Sequence, residues 1–166
     1  VAAAVTLRRG IFPVGLRDSK KLSKLKREKL FEIIQDSSDY GIGLATAEEI
    51  DDLNILQASL LAMTRAVKNL KATPKVVLVD GIHLPHNLSQ FALSITSGDM
   101  VIPAIAASSI IAKVYRDNLM RKLSLIYPEY GWDKNVGYGT SHHRMALKKY
   151  GKTSEHRCSF APIYNM

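Results

Sequence analysis

Residues 75–81 read Lys-Val-Val-Leu-Val-Asp-Gly, and they decide the fold class. Val76, Val77, Leu78 and Val79 form a run dominated by β-branched side chains, which are stiff at χ1 and suit a pleated surface. No polar residue alternates within it, so the run predicts a strand buried on both faces, as in a parallel sheet. Pro74 stops whatever precedes it, and Asp80-Gly81 ends the strand. Upstream, Leu56, Leu60, Met63 and Val67 recur near helical spacing and predict a helix over about 54–70. Downstream, Phe91–Thr96 (FALSIT) predicts a second strand, followed by Gly98-Asp99 and a long helix over about 104–126.

The same alternation extends outward. Val1–Leu7 predicts a strand, and Arg8–Arg17, with Gly10, Pro13 and Gly15, a loop. Ser23 is a plausible N-cap for a helix that carries Leu25, Leu30, Phe31 and Ile34 and ends near Ser37-Ser38. Tyr40–Ala45 (YGIGLA) predicts a strand, and Thr46 with Glu49 three residues on matches a capping box. Pro128, Gly131 and Gly137 mark a loop, Gly139–Tyr150 a short basic helix, and 151–166 a mostly irregular tail. Strands alternating with helices place the chain in the α/β class. There is no internal repeat and no low-complexity tract.

At 166 residues the chain fits one domain, and an apolar share of 46% is enough to build its core. No apolar run reaches the roughly 18–20 residues of a membrane span; the longest, Ile102–Val114, is broken by Pro103, Ser108, Ser109 and Lys113. No basic segment precedes Val1–Leu7, so no secretory signal is expected. Cys158 is the only cysteine, which excludes an intrachain disulfide and leaves a reducing cytoplasm as the expected compartment. A formal charge of +8 favours a polyanionic partner, nucleic acid being the commonest.

Two aspartates carry the chemical argument. Asp80 ends an apolar strand, and carboxyl ends of strands are where ligand sites collect in α/β sheets. A buried carboxylate is costly unless it is paired or binds a metal. Asp99 follows the next strand candidate, so neighbouring strands would bring the two together. Converging carboxylates repel, and a divalent cation relieves the repulsion. The plainer alternative for each is an ordinary turn, Asp-Gly or Gly-Asp, and for either alone it is the commoner case.

Other candidates surround this pair. Lys113, Arg116 and Asp117 lie on the long helix, in or just after the stretch Ala106 to Val114, whose small residues let a helix pack closely on a sheet. They are ordinary helix charges or face a site at the sheet's edge. Asp18-Ser19-Lys20-Lys21, just before a helix, could cradle a phosphate with that helix's first amides, although a capped, solvated helix start is commoner. Tyr138, between Gly137 and Gly139 and followed by Thr140, can approach a backbone closely and stack on a sugar or base. His142, His143, Arg144, Lys148 and Lys149 then suit a groove-binding surface, against the plainer reading of a solvated helix face. Adjacent histidines diverge on a helix, so His142 and His143 do not pair on a metal.

Taken in order, the segments GLRDSKKLSKLKREKLF (15–31), YGIGLATAEEIDDLNILQASLLAM (40–63), VVLVDG (76–81), SGD (97–99), AASSIIAKVYRD (106–117), YPEYGW (127–132), GYGTSHH (137–143) and HRCSFAP (156–162) resemble bacterial ribonuclease HII along nearly the whole chain. That resemblance implies a ribonuclease H-like fold: one domain over 1–166, a mixed five-stranded sheet flanked by helices, and a helical substrate-binding region over about 127–166. It implies four acids around two divalent cations, Mg²⁺ or Mn²⁺. The third and fourth match Asp80 and Asp99. The first two belong to an Asp-Glu pair on a first strand, followed by a Gly-Arg-Gly loop, and this sequence starts after both. Arg116-Asp117 matches the family's Arg-Asp element, with Lys113 in support. Tyr138, with Gly139 and Thr140, matches the ribose-sensing loop, and Asp18, Ser19, Lys20 and Lys21 the loop that holds the nucleic-acid backbone. Ser97 stands where lysine is usual, and Val136 and Cys158 replace commonly basic residues, which lowers the expected substrate affinity.

The expected activity is two-metal hydrolysis of the RNA strand in RNA–DNA hybrids, with incision at single ribonucleotides in duplex DNA, leaving 5′-phosphate and 3′-hydroxyl ends. The protein is expected to act as a monomer. Without the Asp-Glu strand, a non-catalytic hybrid-binding module is the rival from another class, and type-three ribonuclease H shares the catalytic fold. No P-loop or Gly-rich nucleotide loop supports a small-molecule enzyme.

Overall fold

The structure, a computed structural model, describes residues 1–8, 15–16, 22–161 and 163. Its elements run β1 (Ala2–Leu7), α1 (Lys24–Ser37), β2 (Ser38–Gly43), α2 (Ala47–Leu53), α3 (Ile55–Lys68), β3 (Val76–Asp80), β4 (Phe91–Ile95), α4 (Gly98–Val101), α5 (Pro103–Ile126), α6 (Trp132–Asn135) and α7 (Ser141–Tyr150), with a 3-10 turn at Pro128–Tyr130. They divide into two compact units, Val1–Ala45 with Leu56–Val114, and Thr46–Ile55 with Tyr115–Met166. No helix among the described residues is long and apolar enough to cross a membrane.

In the first unit, β1 and β2 pair antiparallel from Ala2↔Gly43 to Leu7↔Ser38. Side chains alternate across a strand, so Ala3, Val5 and Leu7 of β1 and Tyr40 and Ile42 of β2 meet one core, built on Leu30, Ile34, Ala106, Ala107, Ile110, Ile111 and Val114. The small-residue start of α5 packs there, as its composition predicts. The Ser23 side chain caps α1 by accepting from the Lys26 amide at 3.4 Å.

Gly41 and Gly43 of β2 meet α3. A Cβ built on Gly41 would land on the Ala66 carbonyl oxygen, and one on Gly43 on that of Ala62. The helix approaches at backbone distance, which explains why its buried stripe includes Ala58, Ala62 and Ala66. Spacing alone assigns that face to Leu56, Leu60, Met63 and Val67. Leu60 and Val67 are indeed buried, but Leu56 is 40% exposed, because the close approach admits only small side chains along the contact.

Strands β3 and β4 pair parallel, in register from Val76↔Phe91 to Asp80↔Ile95. The strand predicted to be buried on both faces is buried on one. Val79 is 5% exposed, whereas Val76 and Leu78 stand 49% and 38% exposed on the opposite face. Among the described residues β4 is the only strand paired with β3, and nothing covers that second face. The described strands thus form two pairs, one antiparallel and one parallel, where the resemblance implies a single five-stranded sheet.

The second unit opens with the predicted capping box: Thr46 Oγ1 accepts from the Glu49 amide at 3.1 Å, and Glu49 Oε2 accepts from the Thr46 amide at 3.0 Å. The spacing predicts no separate helix here; α2 intervenes before α3, and the helical run is interrupted between them at Asn54, whose φ is 69°. The unit's core is Tyr130, Trp132, Ala146 and Leu147, with Met120, Leu123 and Tyr127 against it. The rings of Tyr130 and Trp132 stack at 5.2 Å. The basic helix α7 starts from Thr140, whose hydroxyl accepts from the His143 amide at 3.3 Å.

Candidate active site

Both candidate acids lie at one corner of the first unit. The β3–β4 ladder extends one step past Asp80, where the Gly81 amide donates to the Ile95 carbonyl at 3.0 Å. Past β4 the chain turns through Ser97, at φ 54° and ψ 38°, and α4 begins. The Gly98 amide then donates to Asp80 Oδ1 at 2.8 Å. Gly98 is buried here because a Cβ would come within 2.6 Å of Ile105 Cδ1 and 3.5 Å of Asp80 Oδ1. Asp99, next in the chain, is half-buried in the first turn of α4. Hence Asp99 sits on a helical turn where the sequence suggests a strand end.

Asp80 is exposed, so the cost of a buried carboxylate does not by itself call for a metal. The tie to Gly98 fixes one of its oxygens beside the residue preceding Asp99. Hard divalent cations take oxygen ligands, and these two aspartates supply them. Among the described residues no group of three or more His, Cys, Asp or Glu side chains gathers that could hold a metal ion. Asp80 and Asp99 therefore fit as part of a donor set.

The remaining candidates are spread between the units. Lys113 belongs to the first unit and Arg116 and Asp117 to the second, all three half-buried on α5. Tyr138, in the second unit, is 63% exposed. Its loop is held from below: the Tyr138 amide donates to the Asn135 carbonyl at 2.8 Å and the Gly137 amide to Asn135 Oδ1 at 2.9 Å. Two successive left-handed residues, Val136 at φ 43° and Gly137 at φ 84°, bring the tyrosine out of this turn. The Arg116 guanidinium lies 5.7 Å from its ring centroid. Gly139 is exposed, and its carbonyl accepts from Arg144 Nη1 at 2.8 Å. Thr140 spends its hydroxyl on the helix cap. Asp18, Ser19, Lys20 and Lys21 lie outside the described residues.

The segment 156–162 contributes more than its sequence revealed. His156 is buried against the rings of Tyr130 at 4.9 Å, Trp132 at 5.1 Å and His143 at 5.3 Å. Its Nδ1 accepts from the Thr153 amide at 3.0 Å. Burial, and after it the neighbouring His143, push its pKa down to about 4. Burial likewise lowers the pKa of His143, whose Nδ1 accepts from Trp132 Nε1 at 3.2 Å. Next, the Asp51 carboxylate accepts from the Cys158 amide at 2.6 Å, the Ser159 amide at 2.9 Å and the Ser159 hydroxyl at 2.5 Å. The Ser159 hydroxyl is the foremost cause holding Asp51 below the usual carboxylate range. No local pattern announces a partnership between residues so distant in sequence.

The family model for ribonuclease HII matches residues 1–163. The chain is 50% identical to the ribonuclease HII of Geobacillus sp. (strain WCH70) over 167 residues, covering 100% of this chain and 60% of that protein. It is 48% identical to the ribonuclease HII of Chlamydia trachomatis serovar L2 over 165 residues, covering 98% of this chain and 75% of that one. The fold resembles the crystal structure of ribonuclease H2 from Pyrococcus horikoshii OT3, with a TM-score of 0.76 at 24% identity over 98% of this chain and 95% of that one. It also resembles the ribonuclease HII in a PCNA complex from Archaeoglobus fulgidus, with a TM-score of 0.66 at 24% identity over 88% of this chain and 78% of the other.

Proposed function

The chain belongs to the ribonuclease HII family, and from that premise we propose that it is the acid- and substrate-bearing part of an endoribonuclease that hydrolyses the RNA strand of RNA–DNA hybrids and incises duplex DNA at single ribonucleotides. Asp80 and Asp99 would hold divalent cations, Mg²⁺ or Mn²⁺. When bound, these supply an activated water and stabilise the leaving 3′-oxygen, giving 5′-phosphate and 3′-hydroxyl ends. The Gly98 amide orients Asp80 by occupying one of its oxygens. The exposed Tyr138 ring offers a face to the sugar at an RNA–DNA junction, and the cationic side chains of α7 neutralise backbone phosphates. Lys113, in the same unit as the two aspartates, supports the site from α5. The carrying observation is the Asp80–Gly98 hydrogen bond, which sets two aspartates from different elements at one corner.

The chain spans 60% of its Geobacillus relative and 75% of its Chlamydia relative, so the test uses it both alone and within the longest reading frame that contains it. Duplex DNA with one embedded ribonucleotide, incubated with Mg²⁺ or Mn²⁺, should be cut 5′ of a phosphate by the longer form. Asp80→Asn should abolish cutting while leaving substrate binding intact; undiminished cleavage by that variant would remove Asp80 from the mechanism. A second reading, hybrid binding without cleavage, is favoured for the chain alone by the lack of a three-residue metal cluster among the described residues. Cleavage by the chain alone would reject it.

A further inference from the structure

We propose that Asn135 is the positioning residue of the Tyr138 loop: its carboxamide fastens that loop to the aromatic core of the second unit, so that the ring stands ready before substrate arrives. The inference rests on the placing of Tyr138 against the sugar proposed above. Every residue in it belongs to the second unit. Asn135 ends α6 and is 9% exposed. A buried amide is costly unless its polar atoms are hydrogen-bonded, and here both ends are. Its Nδ2 donates to the Tyr130 carbonyl at 2.6 Å, and its Oδ1 accepts from the Gly137 amide at 2.9 Å. A backbone N–H only donates and a carbonyl only accepts, so these two partners fix which way the carboxamide points.

One end of this tie is anchored in the core. Tyr130 stacks on Trp132 at 5.2 Å, and its hydroxyl donates to the Gly151 carbonyl at 2.8 Å. The other end is the turn that delivers Tyr138. Val136 and Gly137 stand at φ 43° and 84°, and a left-handed β-branched residue persists only where its surroundings hold it. The backbone of Tyr138 is bonded on both sides: its amide donates to the Asn135 carbonyl at 2.8 Å, and its carbonyl accepts from the Thr140 amide at 2.8 Å. Its side chain is nevertheless 63% exposed, with the Arg116 guanidinium 5.7 Å from the ring centroid. A ring carried on a fixed backbone, with a face open, loses little freedom when a nucleoside rests on it. The two bonds that flank Tyr138 run backbone to backbone; the Asn135 carboxamide is the side-chain group that joins the turn to Tyr130.

The test is binding of a labelled duplex containing one ribonucleotide to the longer form, followed by fluorescence anisotropy with divalent cations withheld. Tyr138→Ala should weaken binding about tenfold, the order expected for losing one contact between an aromatic ring and a nucleoside. Asn135→Ala should weaken it about fivefold in the wild type and not at all in the Tyr138→Ala background, because its effect passes through a ring that is no longer there. Its lowering of the urea midpoint should be the same in both backgrounds, which separates positioning from plain stability. Hydrogen exchange of the wild type, read by NMR, carries the test should Asn135→Ala fail to fold: the Gly137 and Tyr138 amides should exchange slowly in the free protein and keep their rates within about twofold when duplex binds. An Asn135→Ala loss of the same factor in both backgrounds would overturn the positioning role alone, as would amides that become protected only with duplex. Undiminished binding by Tyr138→Ala would overturn it together with the placing of Tyr138 at the sugar.

Discussion

The Gly98 amide donates a 2.8 Å hydrogen bond to Asp80 Oδ1, so the last residue of β3 is fastened to the first turn of α4, where Asp99 follows. The bond gives Asp80 a structural task separable from its proposed chemical one. Asparagine keeps an acceptor for the Gly98 amide and loses the charge. Alanine loses both. Asp80→Asn should therefore melt within about 0.5 kcal/mol of the wild type, and Asp80→Ala roughly 1 kcal/mol below it, in a urea titration. Cleavage by the longer form should fall at least about a hundredfold in both, since even residues behind a metal ligand typically matter 10–100-fold. Equal stability of the two variants would show that the hydrogen bond contributes nothing.

The contact of β2 with α3 makes a sharper prediction. Alanine at Gly41 or Gly43 puts a methyl group onto the carbonyl oxygen of Ala66 or Ala62, and backbone atoms cannot step aside as a side-chain tip can. Each substitution should cost about 2–3 kcal/mol or more. Gly139 has nothing within 4 Å of its would-be Cβ, so Gly139→Ala should stay within about 0.5 kcal/mol. Thermal denaturation of the three variants checks both statements; a mild Gly43→Ala would mean that helix and strand are further apart than described.

These two contacts show what the sequence disclosed and what it withheld. The strands, the long helices and the caps at Ser23 and Thr46 follow local rules of spacing and hydrogen bonding, and they stand where those rules put them within a residue or two. Asp80 stands out in the sequence because it ends an apolar run, and Asp99 because it follows the next strand candidate. The exposed face of β3 was not legible, because a run of valines is equally apolar whether one face is covered or two, and neighbours decide that. Nor was the setting of His156, Cys158 and Ser159: it depends on Asp51, more than a hundred residues away, and on an aromatic cluster assembled from four segments. Tertiary partners of that kind leave no periodic trace.

Val136 is a β-branched residue at φ 43° and ψ 37°, a left-handed conformation that such side chains rarely adopt. It closes α6 and leads into the Tyr138 loop. Asparagine tolerates this conformation because its short amide can bond locally. Val136→Asn should therefore raise stability by about 0.5–1 kcal/mol, despite losing some apolar burial. Differential scanning calorimetry is the check, and a lowered melting temperature would mean that the valine's packing outweighs its backbone strain.

His156 links acid stability to the second unit's core. Its Nδ1 accepts from the Thr153 amide, so the neutral ring carries its proton on Nε2, which is buried with no hydrogen-bond partner among the described residues. Facing it are the titratable groups His143 and Tyr130, with Trp132 completing the enclosure. Nothing in that set welcomes a positive charge, and the pKa falls from 6.5 to about 4. A base whose pKa is lowered on folding leaves the unfolded chain binding more protons at intermediate pH. The stability of the neutral form is thus complete above about pH 6.5 and is lost progressively as pH falls to about 4, by roughly 2–3 kcal/mol in all. Lowered His143 acts in the same direction. Asp51, held below its ordinary range, adds a loss only at the more acid end, as its carboxyl protonates. Urea titrations from pH 7 to 4 measure the sum, and an NMR titration of the His156 ring isolates its share. A ring that titrates in the folded protein at its ordinary pH, with stability flat from pH 7 to 5, would mean that water reaches Nε2 and that the aromatic enclosure is open.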